Sequence, residues 1–128
     1  GHPHVYAGQV VHGKQLARRL GIPTANLVLP EGILPPAFGV YATRVHVREQ
    51  AYIAVTNVGV RPTVDHDGAV TVEPWVLDYD GDLYGREIRV EFCARLRPER
   101  KFSGVEELKA EILRNADQTR AYFAQDKA

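Results

Sequence analysis

The chain has 128 residues, which is enough for one domain with a sizeable core and short of what two domains usually need. Sixteen basic residues balance sixteen acidic ones, so the net charge favours binding neither to nucleic acid nor to an anionic membrane. No apolar run approaches the roughly 20 residues that cross a bilayer, and the single cysteine excludes an internal disulfide. We therefore expect residues 1–128 to form one cytoplasmic domain. Because residue 1 is glycine rather than methionine, we also expect a piece of a longer or processed chain.

Runs rich in β-branched and aromatic residues, separated by turn signals, predict the strands. In chain order they cover residues 5–11, 39–47, 52–58, 70–79 and 87–96. Gln50 and Ala51 are expected at a hairpin connection, and Pro74 predicts an edge position or a bulge in its strand. Strands at this spacing favour an antiparallel barrel or sandwich over a βαβ fold. We expect the barrel to cover about residues 5–102.

The last quarter of the chain predicts one amphipathic helix, from about residue 104 to about residue 125, packed on the barrel. Ser103 and Glu106 match the S-x-x-E capping box that begins many helices. The residues at helical spacing that predict the buried stripe are Val105, Leu108, Ile112, Thr119 and Phe123. The charged residues expected on the solvated face are Glu107, Lys109, Glu111 and Arg114.

Two neighbouring segments near the N-terminus could bind phosphate. Residues 13–21 begin and end with glycine and carry three cations, a composition that suits a polyphosphate, although a plain exposed basic turn fits the same pattern. Next, Thr24 and Asn26 offer neutral oxygen ligands two residues apart, on one side of an extended segment. Magnesium bound to phosphates takes one or two such protein oxygens. Two polar residues that merely cap a turn are the alternative interpretation.

Three further segments could take part in a site. Glu73 is a lone carboxylate in an otherwise apolar strand, where it is either a base facing a pocket or the polar half of the strand alternation. Residues 57–63 form a polar, turn-rich connection that either holds a ligand or reverses the chain. Residues 96–102 bring charges and an aromatic side chain together before the helix, where anions are favoured.

Taken in order, these segments resemble the riboflavin kinase family, over about residues 8–123. The matching pieces are Gly-Gln-Val-Val from Gly8, Leu-Gly-Ile-Pro-Thr-Ala-Asn from Leu20, Gly-Val-Tyr from Gly39, Asn-Val-Gly-Val-Arg-Pro-Thr from Asn57, Val-Glu from Val72, Asp-Leu-Tyr-Gly from Asp82, Leu-Arg-Pro-Glu from Leu96 and Lys-Phe from Lys101. The resemblance implies a six-stranded antiparallel Greek-key β-barrel with a C-terminal α-helix. It also implies transfer of the γ-phosphate of ATP, with Mg²⁺, to riboflavin, giving FMN and ADP.

The same resemblance assigns roles to individual residues. It implies that Thr24 and Asn26 meet the magnesium ion and the ATP phosphates, and that Glu73 is the catalytic base at the ribityl 5′-hydroxyl. Gly13 and Arg18 are implied to contact the phosphates. The residues implied to contact the flavin are Arg97, Glu99 and Phe102. The sequence departs from the family pattern at Ala17, Trp75 and Asn115, where glycine, histidine and aspartate, respectively, are usual. Because Thr24, Asn26 and Glu73 all match the pattern, we expect activity.

The resemblance also implies a partner domain, and two alternatives to the kinase function stay open. In bacteria this module usually follows an N-terminal FMN adenylyltransferase domain, whose H-x-G-H-type motif the present sequence lacks. One alternative is a non-catalytic flavin- or nucleotide-binding module, and the other is a barrel used for protein contacts. Glu73 favours the kinase, because a pure binder has no need of a base, and the ordered polar motifs argue against the contact barrel.

Overall fold

A computed structural model of the chain describes residues 4–10, 25–28, 36–61, 69–77, 85–98 and 102–126. Within these ranges the strands are β1 His4–Gln9, β2 Leu27–Val28, β3 Gly39–Val47, β4 Gln50–Arg61, β5 Ala69–Val76 and β6 Glu87–Pro98, and the helix α1 is Val105–Asp126. Every pair of neighbouring strands is antiparallel, in the order β1-β6-β3-β4-β5-β2. The structure thus confirms a mainly β, antiparallel fold with a C-terminal helix.

The sheet curls so that its two outermost strands meet. Val10, directly after β1, pairs with Leu27 of β2 at the opposite edge of the sheet. A Cβ atom on Gly8 would lie only 2.8 Å from Leu27 Cδ1, so glycine allows β1 to approach β2 at this point. The result is a curled antiparallel sheet with five long strands, to which β2 adds two residues.

Strand alternation gives the sheet two apolar faces. The inner face holds the larger core, with fully buried side chains at Leu27, Val45, Val58, Val72, Ile88 and Val90. The outer face packs against α1 through a smaller cluster of Val40, Val55, Leu77 and Ala116, flanked by Ile53, Trp75 and Leu96. Each fully buried aliphatic side chain contributes about 1.5–3 kcal/mol relative to an exposed one. Because side chains two apart on a strand share a face, Glu73 lies on the α1 face with Trp75.

The β3–β4 hairpin turns two residues earlier than the sequence predicts. Arg48 and Glu49 form the turn, and Gln50 and Ala51 already belong to β4. Arg48 has a φ of 56°, which is a left-handed backbone conformation. A glycine or an asparagine at this position would have predicted the turn, whereas an arginine does not. The predicted connection at 57–63 is also wrong in its first part, since β4 continues to Arg61.

The start of α1 differs from the predicted capping box. The first helical hydrogen bond runs from Leu108 N to Gly104 O, at 3.2 Å, so Gly104 rather than Ser103 is the capping residue. The Ser103 hydroxyl instead donates to Glu107 Oε2 at 2.5 Å. Val105, predicted in the buried stripe, is 52% exposed, because it lies in the first turn before the helix reaches the sheet. In the described part of the chain, no helix is long and apolar enough to cross a membrane.

Candidate active site

Asn26 and Glu73 oppose each other at the edge between β2 and β5. Ala25 N donates to Pro74 O at 2.9 Å, and one step along this antiparallel register brings Asn26 beside Glu73. Their own backbone groups point away from each other, so the pair is of the type whose Cα atoms approach to about 4.5 Å. Opposed side chains share a face of the sheet, and the two polar groups are therefore neighbours.

The side chain of Asn26 is buried without a hydrogen-bond partner in the described part of the chain. It is 1% exposed, and neither its Oδ1 nor its Nδ2 atom is paired there. Nearly all buried polar side-chain atoms in proteins are paired, and leaving one unpaired costs about 1–3 kcal/mol. An amide held in this state fits a ligand, because Oδ1 is a hard oxygen that suits magnesium and Nδ2 can donate to a phosphate.

Asn57 extends this pair into a row across three strands. The β4–β5 register pairs Asn57 with Glu73, with about 5.5 Å expected between the Cα atoms of such a hydrogen-bonded pair. Asn57 shares its face with Ile53 and Val55, which pack beneath α1. Sequence reasoning placed Asn57 in a connection that either holds a ligand or reverses the chain, and did not link it with Glu73. The available signal was a polar residue that follows Ile53 and Val55 at the two-residue period of a strand.

The same row reaches the residues predicted beside the flavin. Asn57 pairs with Val40, and Val40 pairs with Arg97 of β6. The guanidinium carbon of Arg97 lies 5.3 Å from the centre of the Phe102 ring, within the range of a cation–π contact. The structure therefore brings Arg97 and Phe102 together, while their contact with a flavin stays a prediction.

Helix α1 holds Arg97 through two buried polar residues. Arg97 Nε donates to Asn115 Oδ1 at 3.1 Å and lies 3.7 Å from Glu111 Oε1. Glu111, predicted to be solvated, is 9% exposed, so that prediction is wrong. The pairing with Arg97 supplies the opposite charge that a buried carboxylate needs.

Several predicted site residues lie outside the described residues. These are Gly13, Arg18, Thr24 and Glu99, together with Ala17. Their roles stay predictions, as does the base role of Glu73, which is half-buried. Of the departures from the family pattern, Trp75 packs with the apolar cluster under α1, and Asn115 is the acceptor for Arg97.

These features define a β domain with a candidate ligand site on its helix-covered face, where a carboxylate lies beside an amide that has no hydrogen-bond partner among the described residues. The family model described as Flavokinase, riboflavin kinase, matches residues 1–123. The chain belongs to the riboflavin kinase family.

Curated relatives support the assignment over almost the whole chain. Proteins named bifunctional riboflavin kinase/FMN adenylyltransferase match it at 46% identity in Pseudomonas fluorescens, 41% in Escherichia coli and 36% in Listeria monocytogenes. The alignments cover 91%, 99% and 97% of this chain but only 37%, 40% and 40% of the relatives. The chain therefore spans about two fifths of the length of these relatives.

Two solved structures share the fold. A structure named as a macrolide-efflux protein from Streptococcus pneumoniae superposes with a TM-score of 0.83 at 36% identity, covering 92% of this chain and 38% of that one. Riboflavin kinase from Trypanosoma brucei superposes with a TM-score of 0.72 at 24% identity, covering 99% of this chain and 83% of that one. At this identity the trypanosomal enzyme supports the fold alone.

Proposed function

We propose that this chain is an ATP-dependent riboflavin kinase, which transfers the γ-phosphate of ATP to the ribityl 5′-hydroxyl of riboflavin and gives FMN and ADP. The observation that carries the proposal is the opposition of Asn26 and Glu73 in a chain that matches the riboflavin kinase family from residue 1 to residue 123. Asn26 supplies, for the phosphate side of the reaction, an amide that is unpaired within the described part of the chain. Glu73 supplies a carboxylate for the hydroxyl side.

Glu73 acts as the base in this reaction. The 5′-hydroxyl oxygen forms a bond to the γ-phosphorus while the bond from that phosphorus to the β,γ-bridging oxygen breaks. The hydroxyl proton passes to the Glu73 carboxylate, and ADP leaves with the bridging oxygen. Phosphoryl transfer depends mainly on positioning and on neutralising phosphate charge, so one carboxylate and a set of phosphate-binding groups suffice.

The phosphate side of the site would be formed by the N-terminal segments. Riboflavin kinases use ATP with a divalent metal, and Mg²⁺ is the ion we propose here, bound by Asn26 and Thr24. When bound, the ion would neutralise phosphate charge at the centre of transfer. Gly13 and Arg18 would contact the phosphates, and Arg97, Glu99 and Phe102 would line the flavin side. The buried amide of Asn26, to which no described residue is hydrogen-bonded, supports this arrangement.

The domain's architecture and its place in the full-length protein are also proposed. We propose one domain over residues 1–128 whose sheet closes as a six-stranded Greek-key barrel, supported by the pairing of Val10 with Leu27. The full-length protein would carry an N-terminal FMN adenylyltransferase domain, as the names and lengths of the relatives suggest. A cytoplasmic location stays a prediction.

A direct assay tests the function. The purified chain is incubated with riboflavin, ATP and Mg²⁺, and the products are separated by chromatography. We expect FMN and ADP in equal amounts, and none without Mg²⁺ or ATP. If the chain binds riboflavin but forms no FMN, the kinase proposal fails and the non-catalytic flavin-binding module becomes the better description.

A further inference from the structure

The guanidinium group of Arg97 is held by the protein itself. Its Nε–H bond points to Asn115 Oδ1, its Nη1 donates to Pro98 O at 3.3 Å, and its charge lies over the Phe102 ring. The side chain is only 15% exposed. An arginine with these contacts is suited to fixing its neighbours, and a flavin would meet Phe102 more readily than the guanidinium.

The amide of Asn115 is oriented to accept from Arg97. Its Nδ2 donates to Gln118 Oε1 at 2.9 Å and lies 3.5 Å from Glu111 Oε1. Both of these neighbours are acceptors, so Nδ2 must face them and Oδ1 must face the Arg97 donor. Because Asn115 is 1% exposed, water cannot replace these partners cheaply.

This network joins three elements at one point. Arg97 lies near the end of β6, Phe102 lies just before α1, and Asn115 lies in the middle of α1. The contact between Arg97 and Phe102 therefore bridges the two ends of the β6–α1 connection, and Asn115 ties that contact to the helix. Moving the helix along the sheet would move the guanidinium and the aromatic ring together.

We propose that Asn115, assisted by Glu111, is a positioning residue for the flavin site. It holds Arg97 against Phe102, and the ring so fixed forms one wall for the flat isoalloxazine ring of riboflavin. Within the flavin side of the site, the part that Arg97 plays in this proposal is to fix the Phe102 ring. The proposal rests on the proposed riboflavin kinase function and concerns riboflavin affinity alone, since the phosphate groups bind at the Asn26 end of the row.

The test measures riboflavin affinity from quenching of flavin fluorescence, without ATP, and the KM for ATP separately. Asn115→Leu removes the acceptor for Arg97, and we expect about tenfold weaker riboflavin binding with the ATP KM unchanged. Asn115→Asp keeps an oxygen acceptor for Arg97 but loses the Nδ2 donor to Gln118 and Glu111, so its riboflavin affinity should lie between those of Asn115→Leu and wild type. Thr119→Val is the matched control, because Thr119 is buried one turn further along α1 and its hydroxyl donates to the Asn115 carbonyl, not to Arg97.

A substitution in β6 tests the same contact without changing the helix. Arg97→Met keeps the length of the side chain and should weaken riboflavin binding by the same factor, and adding Asn115→Leu to it should cause no further loss. The proposal is overturned if Asn115→Leu and Arg97→Met bind riboflavin like wild type, or if Thr119→Val weakens it equally. Failure of the proposed kinase function would give a different result. Riboflavin would still bind, and its affinity would still fall in these variants, but no FMN would form.

Discussion

Asn26 and Glu73 are opposed residues of one antiparallel register, and they lie on the face of the sheet that α1 covers. The register does more than bring two polar residues together. It sets the separation between a neutral, buried amide and a half-buried carboxylate by the spacing of two strands, which is among the least variable distances in a protein. The groups proposed for the two sides of phosphoryl transfer are therefore held by backbone hydrogen bonds rather than by loops.

Replacing Glu73 by glutamine should abolish most of the turnover. The amide is the same size as the carboxylate but cannot accept the hydroxyl proton, so we expect kcat to fall about 100-fold or more. Nucleotide binding, measured by calorimetry with an ATP analogue and Mg²⁺, should remain. The control is Glu91→Gln, which removes a carboxylate from β6 that pairs with His46 at 3.0 Å, far from the proposed site. Equal turnover in Glu73→Gln and wild type would remove Glu73 as the base.

Asn26 and Asn115 allow a matched comparison of two equally buried amides. Asn26→Leu removes an amide with no partner among the described residues, so the free energy of unfolding should stay the same or rise by about 1 kcal/mol. Asn115→Leu removes an amide that contacts Arg97 and Gln118, and should cost about 1–3 kcal/mol. Urea denaturation measures both.

Asn26→Leu should weaken nucleotide binding even though the stability of the variant is unchanged or higher. Asn26→Leu should lose Mg²⁺-dependent binding of ATP while remaining folded, because the apolar side chain offers neither an oxygen ligand nor a donor to phosphate. A magnesium titration that matches wild type would contradict the ligand role. A large loss of stability would show instead that Asn26 has structural partners in the folded chain.

Asn57 should affect the chemistry through its position beside Glu73. Asn57→Asp places a second carboxylate opposite Glu73, the proposed base, and like charges disfavour ionisation of Glu73. Because the base must be ionised, the acid limb of the kcat profile should move to higher pH. Gln50→Glu is the control, since it adds the same charge at the exposed far end of β4. Identical pH profiles for the two variants would separate Asn57 from the reaction.

Tyr41 gives the fold a dependence on alkaline pH. Burial is the main cause that raises the pKa of the Tyr41 phenol above its usual value of 10.0; the neighbouring Tyr6 adds to this, and Arg95 opposes it. The neutral phenol, whose hydroxyl donates to Ala37 O at 2.5 Å, is therefore favoured in the folded state. Its stabilising contribution is fully present below the usual value and is lost as pH rises through the higher folded value.

Tyr41→Phe should reveal this dependence in urea denaturation. At neutral pH the variant should be about 1 kcal/mol less stable because the hydrogen bond to Ala37 is lost. The difference from wild type should narrow as pH rises above 10.0, since the wild type alone loses this contribution there. Tyr122→Phe, which removes a weaker 3.5 Å contact to Cys93 O, should show no such narrowing. A difference that is constant with pH would contradict the prediction.

The elements that sequence reasoning predicted well are those with a local pattern. Strand β3 has the predicted bounds, and Ile88, Val90 and Phe92 of β6 are buried on one face as their alternation indicates. Such patterns depend only on the period of a strand. The hairpin at Arg48 was misplaced because its left-handed residue is not one of the usual turn formers.

The site itself was only partly predictable, because it depends on which strands become neighbours. Asn26 and Glu73 were both identified, yet nothing local to either residue shows that they oppose each other. Glu111 was predicted on the solvated face because charged residues usually lie there, and its pairing with Arg97, which is distant in sequence, has no local signal. Asn57 was missed as a neighbour of Glu73 for the same reason, since register between strands is a property of the folded sheet.

The alternation of β5 limits how such a chain can change during evolution. Val72 belongs to the inner core and Glu73 to the opposite face, so a single inserted or deleted residue in this strand would exchange them. The change would bury a carboxylate and move an apolar side chain beside Asn26 in one step. Substitutions can adjust this domain gradually, whereas length changes near Glu73 are tolerable only in pairs of residues or in the connections outside the strands.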